Sequence, residues 1–427
     1  MVAAGLMAGT FAFAQDAPKK DEGKFTVSGY IDSYYLTAFN RPQSGQLTGA
    51  YAGRAFDRLT DQFALGLAQT RFAYSNDKSE MVIDLTFGPN AELGNFGNHS
   101  TYVGGYYPSL GPKNGLYGSS AAIKQAYFTY KFTDKLSFTV GQFGTHIGYE
   151  VIDAPVNFHY SLSNLFNNGP FYHVGGKLNY AISDKMGVMA GVVNNWDALM
   201  DWKKSKSVIA QYYISPIDGW NVYLNFIGGA NDDGFRVNPT LVEPSPNYPN
   251  AVTVDTDGDG VDDASIGLGG YTRIMFDLTT GYQINDKFYI GLNAAYGMYS
   301  FSTEDAVSKA IIEGLYGSTS PNWYGVALYP NYKINDMFSI GARIEYFNDE
   351  NGVRYFGYVA DPNKTKGVLG ASNTAFTLTA PITLADGHVI IKPELRIDNA
   401  SLDYYEKKDG TLGKSQQTLG MAFIYKY

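Results

Sequence analysis

Seven short polar connections recur along the chain, and each joins two runs of alternating polar and apolar residues. They are Ser75–Lys78, Thr133–Lys135, Ser183–Lys185, Ser215–Gly219, Asn285–Lys287, Asn335–Met337 and Ala385–Gly387. Between successive pairs the chain passes through long stretches rich in Gly, Asn, Ser and Tyr. Tight turns at one end of a sheet and long loops at the other are typical of a β-barrel that crosses a membrane.

The alternation is regular enough to assign two faces to each predicted strand. Ile340 and Ile344 fall on one side of such a strand, whereas Arg343 falls on the other. A soluble β-sandwich would bury its apolar side, and periodicity alone does not exclude that alternative. In a large barrel the charged side is better placed in a watery lumen, so we expect the apolar side to face lipid.

The pattern predicts about sixteen strands, an even number as in bacterial barrels. They are 25–36, 63–75, 80–88, 122–133, 135–143, 169–182, 185–195, 206–214, 219–229, 270–283, 286–299, 322–334, 337–347, 372–382, 387–397 and 416–427. The predicted fold class is all-β: a closed antiparallel transmembrane β-barrel with short periplasmic turns and long extracellular loops.

Composition agrees with this fold. Only 17% of residues are charged, and 35 Tyr and 26 Phe supply most of the aromatic 15%. Tyr has an apolar ring and a hydrated hydroxyl, so it suits the two edges of a membrane. The chain has no cysteine, which excludes disulfides and thiolate metal sites. The net charge is −9 and no basic face is apparent, so no nucleic-acid partner is predicted. The alternative fold for a Tyr-rich chain is a soluble β-sandwich or solenoid.

The N-terminus resembles an export signal. Val2–Ala14 is an apolar run of small residues that ends in Ala12-Phe13-Ala14, and polar residues follow from Gln15. We expect residues 1–14 to be a signal peptide, 15–24 a short periplasmic segment and 25–427 the barrel. The alternative is an ordinary buried helix. A membrane-spanning helix is excluded because it needs about 20 apolar residues, more than this run contains.

The C-terminus ends within a strand pattern. Leu419, Met421, Phe423, Tyr425 and Tyr427 alternate with smaller or polar residues. A soluble protein rarely ends in this way, because an apolar edge strand promotes aggregation. The pattern resembles the final-strand signal that outer-membrane assembly machinery recognises. We therefore expect that machinery and outer-membrane lipid among the partners.

Several motifs stand in the first half of the chain. They are Gly29–Tyr35, Gln125–Tyr127, Gly141–Glu150, Asn157, Tyr160–Ser161, Gly169–Pro170, His173–Gly175 and Asn194–Asp197. In order and spacing they resemble the OmpL-like β-barrel porin family of Bacteroidetes and related bacteria, whereas residues from about 231 onward match by architecture. Two departures are Leu162, where an Arg often follows the first Ser, and Asn195, which replaces a Gly. The resemblance implies a porin-like barrel in the outer membrane of a Gram-negative bacterium.

The loop at 151–169 is rich in polar groups, and we expect it to fold into the lumen. It then forms either a polar eyelet, with Glu150 and Asp153 facing Arg71, Arg273, Arg343 or Lys392 across the lumen, or a structural plug that satisfies loop backbone. The candidate pore-lining residues are Asp32, Arg71, Asp84, Lys131, Glu150, Asp153, Arg273, Asp277, Arg343, Glu345, Lys392, Glu394 and Arg396. Both signs are present in similar number, so strong ion selectivity is not predicted. The alternative for most of the strand charges is that they simply pair across neighbouring strands.

These features predict a channel for passive diffusion of small hydrophilic solutes. The alternative is a plugged barrel that acts as a substrate-binding or scaffolding component of a larger outer-membrane assembly. Porins often associate as trimers, so a homo-oligomer is a further expectation. His159, Ser161 and Asn164 are superficially similar to a phospholipase set, but proximity in a loop does not supply catalytic geometry, and we predict no enzyme.

A calcium-loop pattern occupies residues 255–263. Its predicted ligands are Asp255, Asp257, Asp259, Asp263 and the carbonyl of Val261. Position 12 is Ile266 rather than Glu, so the fragment resembles the loops of thrombospondin type 3 repeats and dockerins more than a full EF-hand. Closely spaced carboxylates repel each other unless a cation neutralises them, so we expect Ca²⁺ in a structural role. A solvated acidic loop is the alternative.

Overall fold

The computed structural model describes residues 23–47, 54, 56–94, 122–199, 205–231, 235–236, 267–268, 271–301, 309, 312–314, 316–354 and 370–427. Within these residues, sixteen strands form one antiparallel sheet, in which the interrupted fourteenth strand is counted once. The strands are β1 Lys24–Ala38, β2 Gln62–Ser75, β3 Ser79–Phe87, β4 Ile123–Lys131, β5 Leu136–Gly144, β6 Tyr172–Ser183, β7 Met186–Val193, β8 Ser207–Ile214, β9 Trp220–Asn231, β10 Tyr271–Gln283, β11 Phe288–Phe301, β12 Asn322–Lys333, β13 Ser339–Asp349, β14 Ala371–Thr379 with Ile382–Leu384, β15 Val389–Ala400 and β16 Ser415–Lys426.

The sheet closes on itself. Each strand pairs with its neighbour in the chain, and β1 also pairs with β16 in a register that runs from Tyr30 opposite Lys426 to Ala38 opposite Thr418. Closure removes the free edges that an open sheet would expose. The predicted closed antiparallel barrel is confirmed, and all seven predicted short turns connect the hairpins at its periplasmic end.

The two faces of the wall are separated as the alternation predicts. Ile344 is 49% exposed and Phe423 is 42% exposed, whereas Arg343 between such outward positions is fully buried. Apolar side chains therefore point away from the barrel and charged side chains point into it. This excludes the soluble sandwich, whose apolar face would be its core.

Some boundaries differ from the predicted ones for local reasons. The predicted strand at 372–382 breaks after Thr379 because Pro381 has no N–H for the ladder. Two short helices, α1 Pro89–Gly94 and α2 Asn164–Asn168, lie in connections predicted as loops. The side chain of Ser163 caps α2 by accepting a hydrogen bond from the backbone N–H of Phe166.

Short ladders outside the barrel pair Phe235–Arg236 with Gly267–Leu268, and Tyr405–Glu406 with Leu412–Gly413.

In the part of the chain that the structure describes, no helix is both long and apolar enough to cross a membrane. The predicted signal peptide at 1–14 and the predicted calcium ligands Asp255, Asp257, Asp259, Val261 and Asp263 lie outside the described residues.

The inserted segment and the candidate pore

Residues 145–171, which connect β5 to β6, fold into the barrel, and we call them the inserted segment. Its first part reaches β9, where His146 Nε2 lies 3.0 Å from the carbonyl of Phe226. The N–H of Gly148 donates to Asp277 Oδ1 at 3.0 Å. Gly148 has a φ of +91°, a conformation that L side chains rarely adopt, so glycine permits the bend at this point.

Carboxylates on the far wall hold the backbone of the inserted segment. Glu345 of β13 accepts hydrogen bonds from the N–H groups of Asn164 and Leu165, at 3.0 and 2.9 Å. Glu394 of β15 accepts from the N–H groups of Tyr160 and Ser161, at 2.7 and 3.1 Å. Buried N–H groups need acceptors, and the first turn of α2 would otherwise leave such groups unpaired. We call the inward side chains of β13, β14 and β15 the anchoring wall.

Cations of the anchoring wall hold carbonyls of the same segment. Arg343 Nη1 donates to Glu150 Oε1 and to the carbonyl of Ser161, both at 2.6 Å. Arg396 Nη1 donates to the carbonyl of Leu162 at 2.7 Å. Lys392 donates to the carbonyls of Ala154 and Asn157. The charges on this wall are therefore used to fix the inserted segment.

An apolar cluster packs against the inserted segment inside the barrel, towards its extracellular end. Leu165 and Ile147 of the segment share one buried cluster with Trp196, Trp323 and Phe347. Side chains of this size exclude water when they are packed together. The cluster closes part of the barrel interior beside the anchoring wall.

A cavity of about 160 Å³ passes on the other side of the inserted segment. Phe166 and Phe171 line one end, close to the outer end of β6. Asn221, Tyr223 and Tyr289 line the other end, near the periplasmic ends of β9 and β11. The cavity thus extends along the axis of the barrel past the inserted segment.

Lys124 and Asp153 both line this cavity and form an ion pair. Lys124 Nζ also donates to Gln69 Oε1 at 3.1 Å. The sequence does not reveal Lys124 as a site residue, because strict alternation would put it on the outer face with Ala126. In β4 the register passes from Gln125 to Ile123 opposite consecutive residues of β3, so Lys124 is the extra residue of a β-bulge that turns its side chain inward.

The structure brings nine of the thirteen candidate pore-lining residues to the inserted segment or places them within it. These are Asp32, Glu150, Asp153, Asp277, Arg343, Glu345, Lys392, Glu394 and Arg396. Asp32, for example, accepts from the hydroxyl of Tyr160 at 2.6 Å. Asp153 contacts Lys124 rather than a strand arginine or Lys392, because the bulge brings Lys124 closer.

The other four candidates lie away from the inserted segment. Arg71 and Asp84 form an ion pair of 3.4 Å across β2 and β3. The guanidinium of Arg273 lies 3.8 Å above the ring of Trp196. Lys131 is exposed at the periplasmic end of β4.

The residues that superficially resemble a catalytic set have separate partners. His159 Nδ1 lies 2.7 Å from Thr379 Oγ1, whereas Ser161 Oγ accepts from Arg343 Nη2 at 3.3 Å. Asn164 Nδ2 donates to Glu345 Oε2 at 3.0 Å. A nucleophile needs its base within hydrogen-bond reach, and these contacts serve to anchor the segment instead.

Burial controls the protonation of the two histidines in the inserted segment. It lowers the pKa of His146 to about 4 and lowers the pKa of His159 well below its usual value, because a charged imidazole loses its hydration there. Both rings are therefore neutral at pH 7. Among the described residues, no group of three or more His, Asp or Glu side chains is arranged to hold a metal ion.

The family comparison extends over the whole barrel. The family described as "Putative beta-barrel porin-2, OmpL-like" matches residues 24–427. The chain belongs to this family. Its members are outer-membrane β-barrels, so the protein is located in the outer membrane, as the resemblance implies. No curated protein sequence matches the chain.

Solved structures share the fold at low sequence identity. OmpT of Vibrio cholerae superposes with a TM-score of 0.54 at 14% identity, over 96% of this chain and 100% of that chain. The anion-selective porin from Comamonas acidovorans gives 0.52 at 8%, over 95% and 100%. The outer membrane channel DcaP of Acinetobacter baumannii gives 0.50 at 12%, over 95% and 97%. This porin-like barrel therefore resembles several outer-membrane channels in architecture.

Proposed function

We propose that this member of the OmpL-like porin family is a channel for passive diffusion of small hydrophilic solutes. The observation that carries the proposal is the cavity past the inserted segment, which has Phe166 and Phe171 at its outer end and Tyr223 and Tyr289 at its periplasmic end. Passive diffusion requires a continuous path between the two ends of the barrel, and the proposal assigns that path to this cavity.

The proposal places the eyelet of the path at the Lys124–Asp153 ion pair, whose two side chains line the cavity. Glu150 and Gln125 also line it. The functional eyelet therefore combines two residues expected from the sequence, Glu150 and Asp153, with the lysine supplied by the β-bulge. The remaining candidate pore-lining residues on the anchoring wall act in this proposal as supports of the inserted segment.

Recording in planar lipid bilayers tests the channel. Purified protein should give stable open-current steps in KCl, and substitutions at Lys124 or Asp153 should change their ion preference. A correctly folded barrel that gives no steps at any voltage would exclude passive diffusion by this protein.

A plugged, substrate-binding or scaffolding barrel is the second candidate. It is favoured by the buried contacts of Arg343, Glu345 and Glu394 with the inserted segment, which leave little freedom for that segment to move. The same recording separates the two candidates. A silent barrel that copurifies with further envelope proteins would support the second.

Three further expectations from the sequence stay proposals. Ca²⁺ is proposed to bind at Asp255, Asp257, Asp259, Asp263 and the carbonyl of Val261, where it would order an extracellular loop. The final strand is proposed to be recognised by the outer-membrane assembly machinery. A homo-oligomer is proposed as well, and a solved form of OmpT of Vibrio cholerae is described as a trimer.

A further inference from the structure

The periplasmic half of the cavity is lined by uncharged polar groups. Gln211, Asn221 and Thr279 contribute amide and hydroxyl groups from β8, β9 and β10. Tyr223 and Tyr289 add phenol groups from β9 and β11. Together they offer both donors and acceptors of hydrogen bonds and two aromatic surfaces.

The charges that border the same cavity are already paired. Lys124 and Asp153 neutralise each other, and Glu150 is neutralised by Arg343. Asp277 is not part of the lining; it lies behind it, where the N–H groups of Gly148, Asn225 and Asn293 donate to its carboxylate at 3.0, 2.8 and 2.5 Å and hold it in place without cancelling its charge. Among the described lining residues, no charge is left to attract an ion of either sign.

We infer that the cavity selects neutral polyhydroxylated solutes, the chemical class of monosaccharides and small oligosaccharides. Such a solute replaces its hydration by hydrogen bonds to amides and hydroxyls, and the C–H face of its ring packs against tyrosine. An ion of the same size loses hydration and meets no opposite charge, so its entry is less favourable. This inference deepens the proposed channel function and rests on it.

The tyrosine side chains of the lining are held in place by their neighbours, which favours this class of solute. The hydroxyl of Tyr149, in the inserted segment, donates to the hydroxyl of Tyr289 at 3.0 Å, and the ring of Tyr149 stacks on Tyr329 with centroids 4.3 Å apart. The phenol of Tyr213 donates to Asn221 Oδ1 at 2.9 Å and its ring lies 4.9 Å from that of Tyr223. The aromatic surfaces are therefore held in fixed positions before a solute arrives.

Flux into liposomes that contain the purified protein tests the inference. The probes are glucose, glucosamine and glucuronate, which have similar size but are neutral, cationic and anionic. We expect glucose to enter about three- to tenfold faster than either ion, since only the ions lose hydration without a charged partner. Equal rates for the three probes, or a faster ion, would overturn the inference and leave the channel intact. Rates no higher than in protein-free liposomes would refute the channel itself.

A charge placed in the lining gives a second, independent test. Gln211→Glu puts a carboxylate into the periplasmic half of the cavity and should raise the ratio of glucosamine to glucuronate flux by about threefold or more. Gln417→Glu is the matched control, because Gln417 is exposed on the outer face of β16. Circular dichroism of both variants establishes that each barrel is folded. An unchanged ratio in folded Gln211→Glu would contradict the role of this lining.

Discussion

Arg343 Nη1 lies 2.6 Å from Glu150 Oε1, and both side chains are buried. The contact joins strand β13 to the inserted segment across 193 positions of sequence. The same guanidinium donates to the carbonyl of Ser161, so one residue holds two separate points of the segment. Removing one member of a buried pair leaves the other charge without a partner.

We expect Arg343→Met to loosen the inserted segment and to destabilise the protein by about 3–5 kcal/mol, because Glu150 stays buried and unpaired. Cleavage by chymotrypsin within 145–171 should become faster, and open current should increase. Lys333→Met is the control, since Lys333 pairs with the exposed Asp336 in a periplasmic turn. If cleavage and unfolding in urea are the same in Arg343→Met as in the control, the pair does not anchor the segment.

The barrel itself is predictable from the sequence because every second residue of a strand obeys one physical constraint. Ile344 faces outward and Arg343 faces the barrel interior, and this alternation repeats in strand after strand. The short turns then fix which strands are neighbours. The sixteen strands, the periplasmic turns and the direction of the apolar face all follow from these two local rules.

The site is less predictable because its contacts join distant parts of the chain. Glu345 binds the backbone of Asn164 and Leu165, and no local pattern relates these positions. Lys124 is missed for another reason: a β-bulge reverses the direction that alternation assigns to its side chain. The sequence indicates which loop enters the barrel, but only the structure shows which wall residues hold it.

Ion preference should depend on the Lys124–Asp153 pair. Lys124→Gln leaves the carboxylate of Asp153 unpaired in the cavity, so the reversal potential in a KCl gradient should shift toward cation preference. Asp153→Asn should shift it toward anion preference. The double variant Lys124→Gln/Asp153→Asn should return close to the wild-type value.

The control for this experiment is Lys185→Gln, because Lys185 pairs with Asp218 in exposed turns. It should leave the reversal potential unchanged. Shifts of the same sign in Lys124→Gln and Asp153→Asn would show that the ion path does not pass between these two side chains.

Calcium binding is expected from the sequence at residues 255–263. Titration calorimetry should show Ca²⁺ binding with a dissociation constant on the order of 10⁻⁴ to 10⁻³ M, as in extracellular calcium modules. Asp255→Ala/Asp257→Ala should abolish the heat because two carboxylate ligands are lost. Asp232→Ala/Asp233→Ala changes the same number of charges in the same loop and should retain it. Identical heats for the two double variants would reject the site.

The inserted segment should detach more easily in acid because of His146. Burial lowers the pKa of this histidine to about 4, and the charge of Lys177 acts in the same direction. In a detached segment His146 would titrate near its usual value of about 6.5. As the pH falls from about 6.5 towards 4, the detached form gains a proton that the inserted form does not. The free energy that favours the inserted form therefore decreases by up to about 3 kcal/mol.

Hydrogen exchange of residues 145–171, corrected for the intrinsic effect of pH, measures this change. Exchange should accelerate between about pH 6.5 and 4 in the wild-type protein, and His146→Gln should weaken the acceleration because its amide does not titrate. His388→Gln, in an exposed periplasmic turn, should keep the wild-type response. Other groups that take up protons in acid do so equally in both variants, so only the difference between the variants reports on His146. An equal acceleration in the two variants would remove His146 as its cause.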